Sequence, residues 1–208
     1  MRKLPLLLVI ASLAGLAIAS PATAASERAQ IASSRVVATP AVAQTSSGGL
    51  IAPTSACPGQ DRLDAPAQAQ VSTMRCMTDF ARRQVGLSGL AYSAALEQSA
   101  AEKSADILRC DSFSHSACGR EFSYWMREAG YTSAPCWRLG ENLAFGTDAY
   151  GSVRAIFEAW MRSPSHRTNI LGDFTELGVS VRAGTLSGRP ETRIWTQHFG
   201  SRCPEPAA

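Results

Sequence analysis

The sequence predicts an α+β layered domain. Helical periodicity comes first along the chain, strand-like alternation comes last, and the connection near the end is long enough to cross a sheet face. From about Gln70 to Val85, the residues Val71, Met74, Met77, Phe80 and Val85 recur close to helical spacing, and Gly86 stops the helix. A second helix fits Ser93 to Arg109, with Ser93 as N-cap and Leu96, Ala100, Ile107 and Leu108 turned inward. A third spans about Arg120 to Ala129, with Phe122, Trp125, Met126 and Ala129 on one face and Gly130 as terminator. A fourth covers about Ala149 to Arg162, burying Val153, Ile156, Phe157 and Trp160.

The period then changes to two. Residues 176–181 and 193–199 alternate as half-buried strands do, and the Gly- and Pro-containing stretch Ala183 to Pro190 joins them into an antiparallel hairpin. Residues 139–145 supply a further strand. On the strand 193–199, His198 shares a face with Ile194 and Thr196, opposite Trp195, Gln197 and Phe199. It reads as a satisfied sheet histidine ahead of a cleft residue.

The folded part is shorter than the 208 residues of the chain. Arg2 and Lys3 precede an apolar run from Leu4 to Ala19, and Ala22-Thr23-Ala24 suits signal peptidase, so residues 1–24 read as a secretory signal. A retained membrane anchor is the competing reading, and the run is shorter than the ~20 residues that span a bilayer. Residues 25–56 are rich in Ala, Ser, Thr and Pro and read as a flexible linker. Residues 57–203 then form a single domain. After cleavage the sequence implies a secreted, extracellular chain without stable membrane insertion.

Six cysteines, Cys57, Cys76, Cys110, Cys118, Cys136 and Cys203, all fall in the domain segment. An even count in an exported chain argues for disulfides, although sequence alone does not choose among the pairings. The preferred set joins Cys57 with Cys76, Cys110 with Cys118 and Cys136 with Cys203. A zinc–thiolate site competes poorly, because no Cys-x-x-Cys pair occurs. The net charge of +3 is modest and its basic residues are scattered, which argues against nucleic acid as a partner.

Three residues stand out as chemistry: His115 in Phe113-Ser114-His115-Ser116, Glu141 in Gly140-Glu141-Asn142, and His166 just after Ser163-Pro164. Each is placed in or beside a turn, where side chains can converge on a cleft. Two imidazoles and a carboxylate can ligate zinc or a similar divalent ion, and a histidine paired with Glu141 can act as a base. No His-Glu-x-x-His helix and no Gly-x-Ser-x-Gly elbow is present, and the cysteines read as structural. Asn142 and Asn169 read as residues that tie down turns.

The order and surroundings of these groups resemble a known family. The segments 86–90, Phe113-Ser114-His115, Ala129-Gly130-Tyr131, residues 140–144, Trp160 through Leu171, 174–181 and 195–200 are similar to the bacterial secreted branch of the CAP superfamily. That superfamily, also called SCP, includes cysteine-rich secretory proteins, antigen 5 and pathogenesis-related proteins. The resemblance covers about residues 70–200. It implies an α-β-α sandwich with a central antiparallel sheet and a wide cleft. In that family the cleft carries two histidines and two acids, and some members hold a divalent metal there. His115, Glu141 and His166 match three of these positions. At the fourth, where the family often has a glutamate three residues after the tryptophan, this chain has Ser163; Glu158 is nearby on a different helical face.

Two functions follow as expectations. One is a secreted binding module whose cleft holds a small apolar ligand, a cell-envelope component or a protein, with a divalent metal such as zinc as an optional cofactor. The other is a metal-assisted extracellular hydrolase of peptide or cell-wall bonds acting through His115, Glu141 and His166. The first is preferred, because the resemblance implies no shared reaction.

Overall fold

The computed structural model describes residues 47–203. The signal segment 1–24 and linker residues 25–46 lie outside the described residues. The end of the expected linker is not loose: Leu50 and Ala52 are fully buried and pack into the main core, so the domain begins before Cys57.

Helix α1 (Ala67–Gln84) buries Val71, Met74, Met77 and Ala81 along one face, and the chain leaves it through Gly86 at φ 79°, a left-handed turn that suits glycine. A two-residue strand, β1 (Ala91–Tyr92), precedes α2 (Ala94–Arg109), whose N-cap Ser93 accepts the Leu96 N–H. The buried face of α2 is partly polar: Ser99, Lys103, Ser104 and Asp106 lie inside together with Leu96, Ala100 and Ile107.

The expected third helix shrinks to α3 (Tyr124–Glu128), and residue 122 precedes it. Phe122, expected on a buried face, is therefore 36% exposed. Strand β2 (Trp137–Gly146) is followed by α4 (Val153–Arg162), which buries Val153, Ile156, Phe157 and Trp160 as the spacing predicts. Residues 149–151 belong to a 3₁₀ turn, and Ser152 caps α4 by accepting the Ala155 N–H. Ser163-Pro164 does not end in a turn. Pro164 opens a further helix, α5 (Pro164–Ile170), at the first helical position, where its missing N–H costs nothing.

Strands β3 (Glu176–Leu186) and β4 (Arg189–Arg202) are longer than their alternation suggested. The Ala183 to Pro190 connection is mostly strand, closed by Ser187 and Gly188 at φ 49° and 73°, the backbone of a tight hairpin turn. The sheet order is β1-β3-β4-β2. The three long strands are antiparallel, and β1 pairs parallel with β3, which makes the sheet mixed.

Helices α1, α4 and α5 cover one face of this sheet around a core that includes Met74, Phe157, Trp160, Trp195 and Phe199. Helix α2 covers the other face, against Leu143, Phe145, Leu186 and Ile194. It approaches so closely that a Cβ on Gly178 would overlap the backbone of Leu96. The result is an α-β-α sandwich. Disulfides join Cys57 to Cys76, Cys110 to Cys118 and Cys136 to Cys203, the preferred set. Among the described residues, no helix is long and apolar enough to cross a membrane.

Candidate functional site

The site forms where the polar stripe of α2 meets the β2–β4 pair. Glu141 on β2 lies directly across from His198 on β4, and both side chains point to the α2 face. One carboxylate oxygen of Glu141, Oε1, is 2.6 Å from Nδ1 of His115; the other, Oε2, is 2.8 Å from Nε2 of His198. The Nζ of Lys103 is 3.8 Å from the same Oε2 and donates to the His115 carbonyl at 2.6 Å. The side chains of Lys103, Glu141 and His198 are 1%, 2% and 0% exposed, whereas that of His115 is 28% exposed. His115 is thus the face that this cluster shows to solvent.

Burial raises the Glu141 pKa, but hydrogen bonds from His115 and His198, the His198 interaction and the charge of Lys103 outweigh it, and the net result lies below the ordinary carboxylate value. An ionised carboxylate only accepts, so His115 carries a proton on Nδ1 and His198 a proton on Nε2. Burial pushes the His198 pKa down, favouring the neutral ring. The single hydroxyl proton of Ser99 has two acceptors in reach, Leu96 O at 2.9 Å and His198 Nδ1 at 2.7 Å. A neutral His198 protonated on Nε2 requires that the proton go to Nδ1. Neutral His115 by the same reasoning presents a bare Nε2.

His166 stands apart from this carboxylate. Its Nδ1 is 2.7 Å from Ser163 Oγ, and burial, with the neighbouring His115 adding to it, pushes its pKa down to about 4. Asn142, on the opposite face of β2, donates to the His166 carbonyl and to Gln197 Oε1, and accepts from Asn169, which also donates to the Glu141 carbonyl. These two asparagines tie α5 to the strand rather than tying down turns. Glu158 pairs with Arg154 and Arg162 on the surface and does not complete the site.

Both oxygens of Glu141 are already engaged by imidazoles, and among the described residues no three His, Cys, Asp or Glu side chains are gathered as a metal centre needs. His115 and His166 each keep Nδ1 occupied inside the protein, the outer-shell pattern of an orienting partner. Glu141 orients an imidazole here. Ser114 and Ser116 bond to each other, so neither is placed as a nucleophile for His115.

Beside His115 lies a cavity of about 220 Å³ lined by His115, Phe122, Leu139, Gly140 and Glu141. A larger recess of about 430 Å³ sits at Ser133–Pro135, Glu176, Arg202 and Cys203, away from this chemistry. Its charged groups are spoken for, because Glu176 binds Arg202 and the Tyr131 hydroxyl. The smaller cavity is therefore the functional candidate.

Sequence reasoning missed Lys103 and the Ser99–His198 link. A lysine at a helical position reads as solvated surface; only the alignment of Ser99, Lys103, Ser104 and Asp106 along the inward face of α2 could have marked it.

An α-β-α sandwich with a histidine-bonded glutamate beside a cleft defines a class, and the comparisons specify it. The model of the cysteine-rich secretory protein family, CAP, matches residues 63–199, and the chain belongs to that family. The uncharacterized protein YkwD of Bacillus subtilis (strain 168) is 33% identical over 127 residues, which cover 59% of this chain and 44% of that protein. The chain thus matches less than half the length of this curated relative. An extracellular protein containing an SCP domain from Bacillus anthracis aligns with a TM-score of 0.52 at 22% identity, over 64% of this chain and 40% of that one. An outer surface protein from Borrelia burgdorferi aligns with a TM-score of 0.56 at 19% identity, over 66% of this chain and 96% of that one. At such identities the likeness concerns the fold.

Proposed function

We propose that this is an exported CAP domain that binds a small, partly apolar ligand of the cell envelope in the cavity beside His115. The observation that carries the reading is that Glu141 spends both carboxylate oxygens on imidazoles while the adjoining cavity is walled by Phe122 and Leu139. A carboxylate so engaged is an orienting group, and the hydroxyls flanking His115, those of Ser114 and Ser116, bond to each other. Export is supported by the signal-like N-terminus and by disulfides, which persist in oxidising compartments. The cavity is smaller than the ~300 Å³ at which drug-sized sites begin, so it takes a fragment of a larger molecule or a small one whole.

A divalent ion in this cleft would use the imidazoles of His115 and His166, with Glu141 holding His115 in place. The test of the binding reading is native mass spectrometry after incubation with a bacterial envelope extract. A retained small molecule, recovered unaltered and lost on Phe122→Asp, supports it. Cleaved products formed by the parent chain and not by Glu141→Gln would favour the hydrolase instead.

A further inference from the structure

The cavity beside His115 has a defined polarity, and that polarity selects a chemical class. Its polar rim is the His115 ring, whose Nδ1 is committed to Glu141 at 2.6 Å. Because the ionised carboxylate can only accept, the proton of the neutral ring sits on Nδ1 and the remaining nitrogen, Nε2, offers a lone pair. Behind it stands the Glu141 carboxylate, 2% exposed, and Glu141 is among the lining residues. The compensating cation, Lys103, is 1% exposed and does not line the cavity; its ammonium is turned to the His115 carbonyl. Phe122 and Leu139 make the rest of the wall, with Phe122 36% exposed at the surface.

We propose that this cavity takes an uncharged ligand that presents a hydroxyl or amide N–H to Nε2 of His115 and a small apolar group to Phe122 and Leu139, and that it rejects carboxylates and phosphates. The inference rests on the cleft-binding reading and adds to it the sign of the polar contact. An anionic ligand would meet the Nε2 lone pair with no cation on the lining, and with the Glu141 carboxylate, 2% exposed, close behind the ring. An ether or ester lacking a donor would leave Nε2 unpaired on closure, which costs about as much as a lost hydrogen bond. A hydroxyl or amide N–H satisfies both partners.

Three matched probes separate these cases: benzyl alcohol, benzyl methyl ether and benzoate, titrated against the full mature chain at about pH 8 with a chelator present, where an ordinary imidazole is neutral and metal bridging is removed. The readout is the movement of the His115 and Phe122 resonances in NMR spectra. Benzyl alcohol is expected to bind roughly tenfold more tightly than either the ether or benzoate. The ¹⁵N shifts of His115 in the free protein are expected to show the proton on Nδ1. In Glu141→Gln the amide can donate to Nδ1 and move the ring proton to Nε2, so the preference for alcohol over ether should disappear together with the tautomer signal.

Benzoate binding as tightly as the alcohol, or the ether as tightly as the alcohol in the parent chain, overturns the inference and leaves the binding site standing. A free His115 protonated on Nε2 overturns it as well. Failure of every probe to move Phe122 removes the cavity as a binding site, and this inference with it.

Discussion

Ser163 Oγ lies 2.7 Å from Nδ1 of His166, so a hydroxyl stands where the family pattern often places a carboxylate. The consequence is electrostatic. The buried His166 ring has a hydroxyl rather than a carboxylate at Nδ1, and burial takes its pKa down to about 4.

That depression makes folding pH-dependent with a definite sign. Between about 6.5, the ordinary histidine value, and about 4, the unfolded chain binds a proton that folded His166 refuses. Stability is complete above this window and falls as pH drops through it. His198, pushed down by burial, acts in the same direction. Glu141, held below the ordinary carboxyl value, contributes stability that is present above that value and is lost at still lower pH. Urea titrations from about pH 7 to about pH 4.5 should lose on the order of 2 kcal/mol, and less in His166→Gln. A flat profile would contradict the buried, uncharged His166.

Lys103 is the buried cation that balances Glu141. Lys103→Met removes the donor to the His115 carbonyl and leaves a buried carboxylate without its counter-charge, at a cost of about 3 kcal/mol in denaturant unfolding. Combining it with Glu141→Gln should cost less than the two separate losses added together, because the second change removes the charge the first exposed. Strict additivity would show that the pair is not coupled.

Zinc titration distinguishes a ligand from an orienting group. Where the parent chain binds zinc, His115→Ala and His166→Ala should each abolish binding, while Glu141→Gln should weaken it by roughly 10- to 100-fold. Complete loss in Glu141→Gln, with folding intact, would make Glu141 a direct ligand.

The Cys110–Cys118 disulfide encloses the loop that carries His115. Reduction of the denatured mature chain should add two hydrogens for each of the three disulfides, read by intact mass. Replacing Cys110 and Cys118 by serine should cost about 2 kcal/mol and raise amide exchange at residues 112–117. Unchanged exchange there would mean that Lys103, bonded to the His115 carbonyl, and Asp106, which accepts from Arg120 and Trp125, hold the loop unaided.

Much of the architecture was legible because its driving forces are local. The apolar periods of α1, α2 and α4 point to the faces that are buried, and the alternation 193–199 assigns His198 correctly to the side of Ile194 and Thr196, where Ser99 of α2 bonds His198 and Ser104 bonds Thr196. What was not legible depended on context. Pro164 breaks a helix and also starts one, and a pattern cannot tell a turn from the first position of α5. Strand β1 spans two residues and exists only because β3 lies beside it. At the site, the residue types singled out His115, Glu141 and His166, but the division of labour among them needed distances. A carboxylate that ligates a metal and one that holds an imidazole look identical in sequence.

On the binding reading proposed above, the cleft retains a ligand and does not turn it over. The most direct test of that reading is to expose the purified mature chain to a bacterial envelope extract and weigh what native mass spectrometry finds bound and what remains in solution. The expected result is one small molecule per chain, released intact on denaturation and absent from Phe122→Asp, with no new products in solution. Accumulation of cleavage products that requires Glu141 would contradict it.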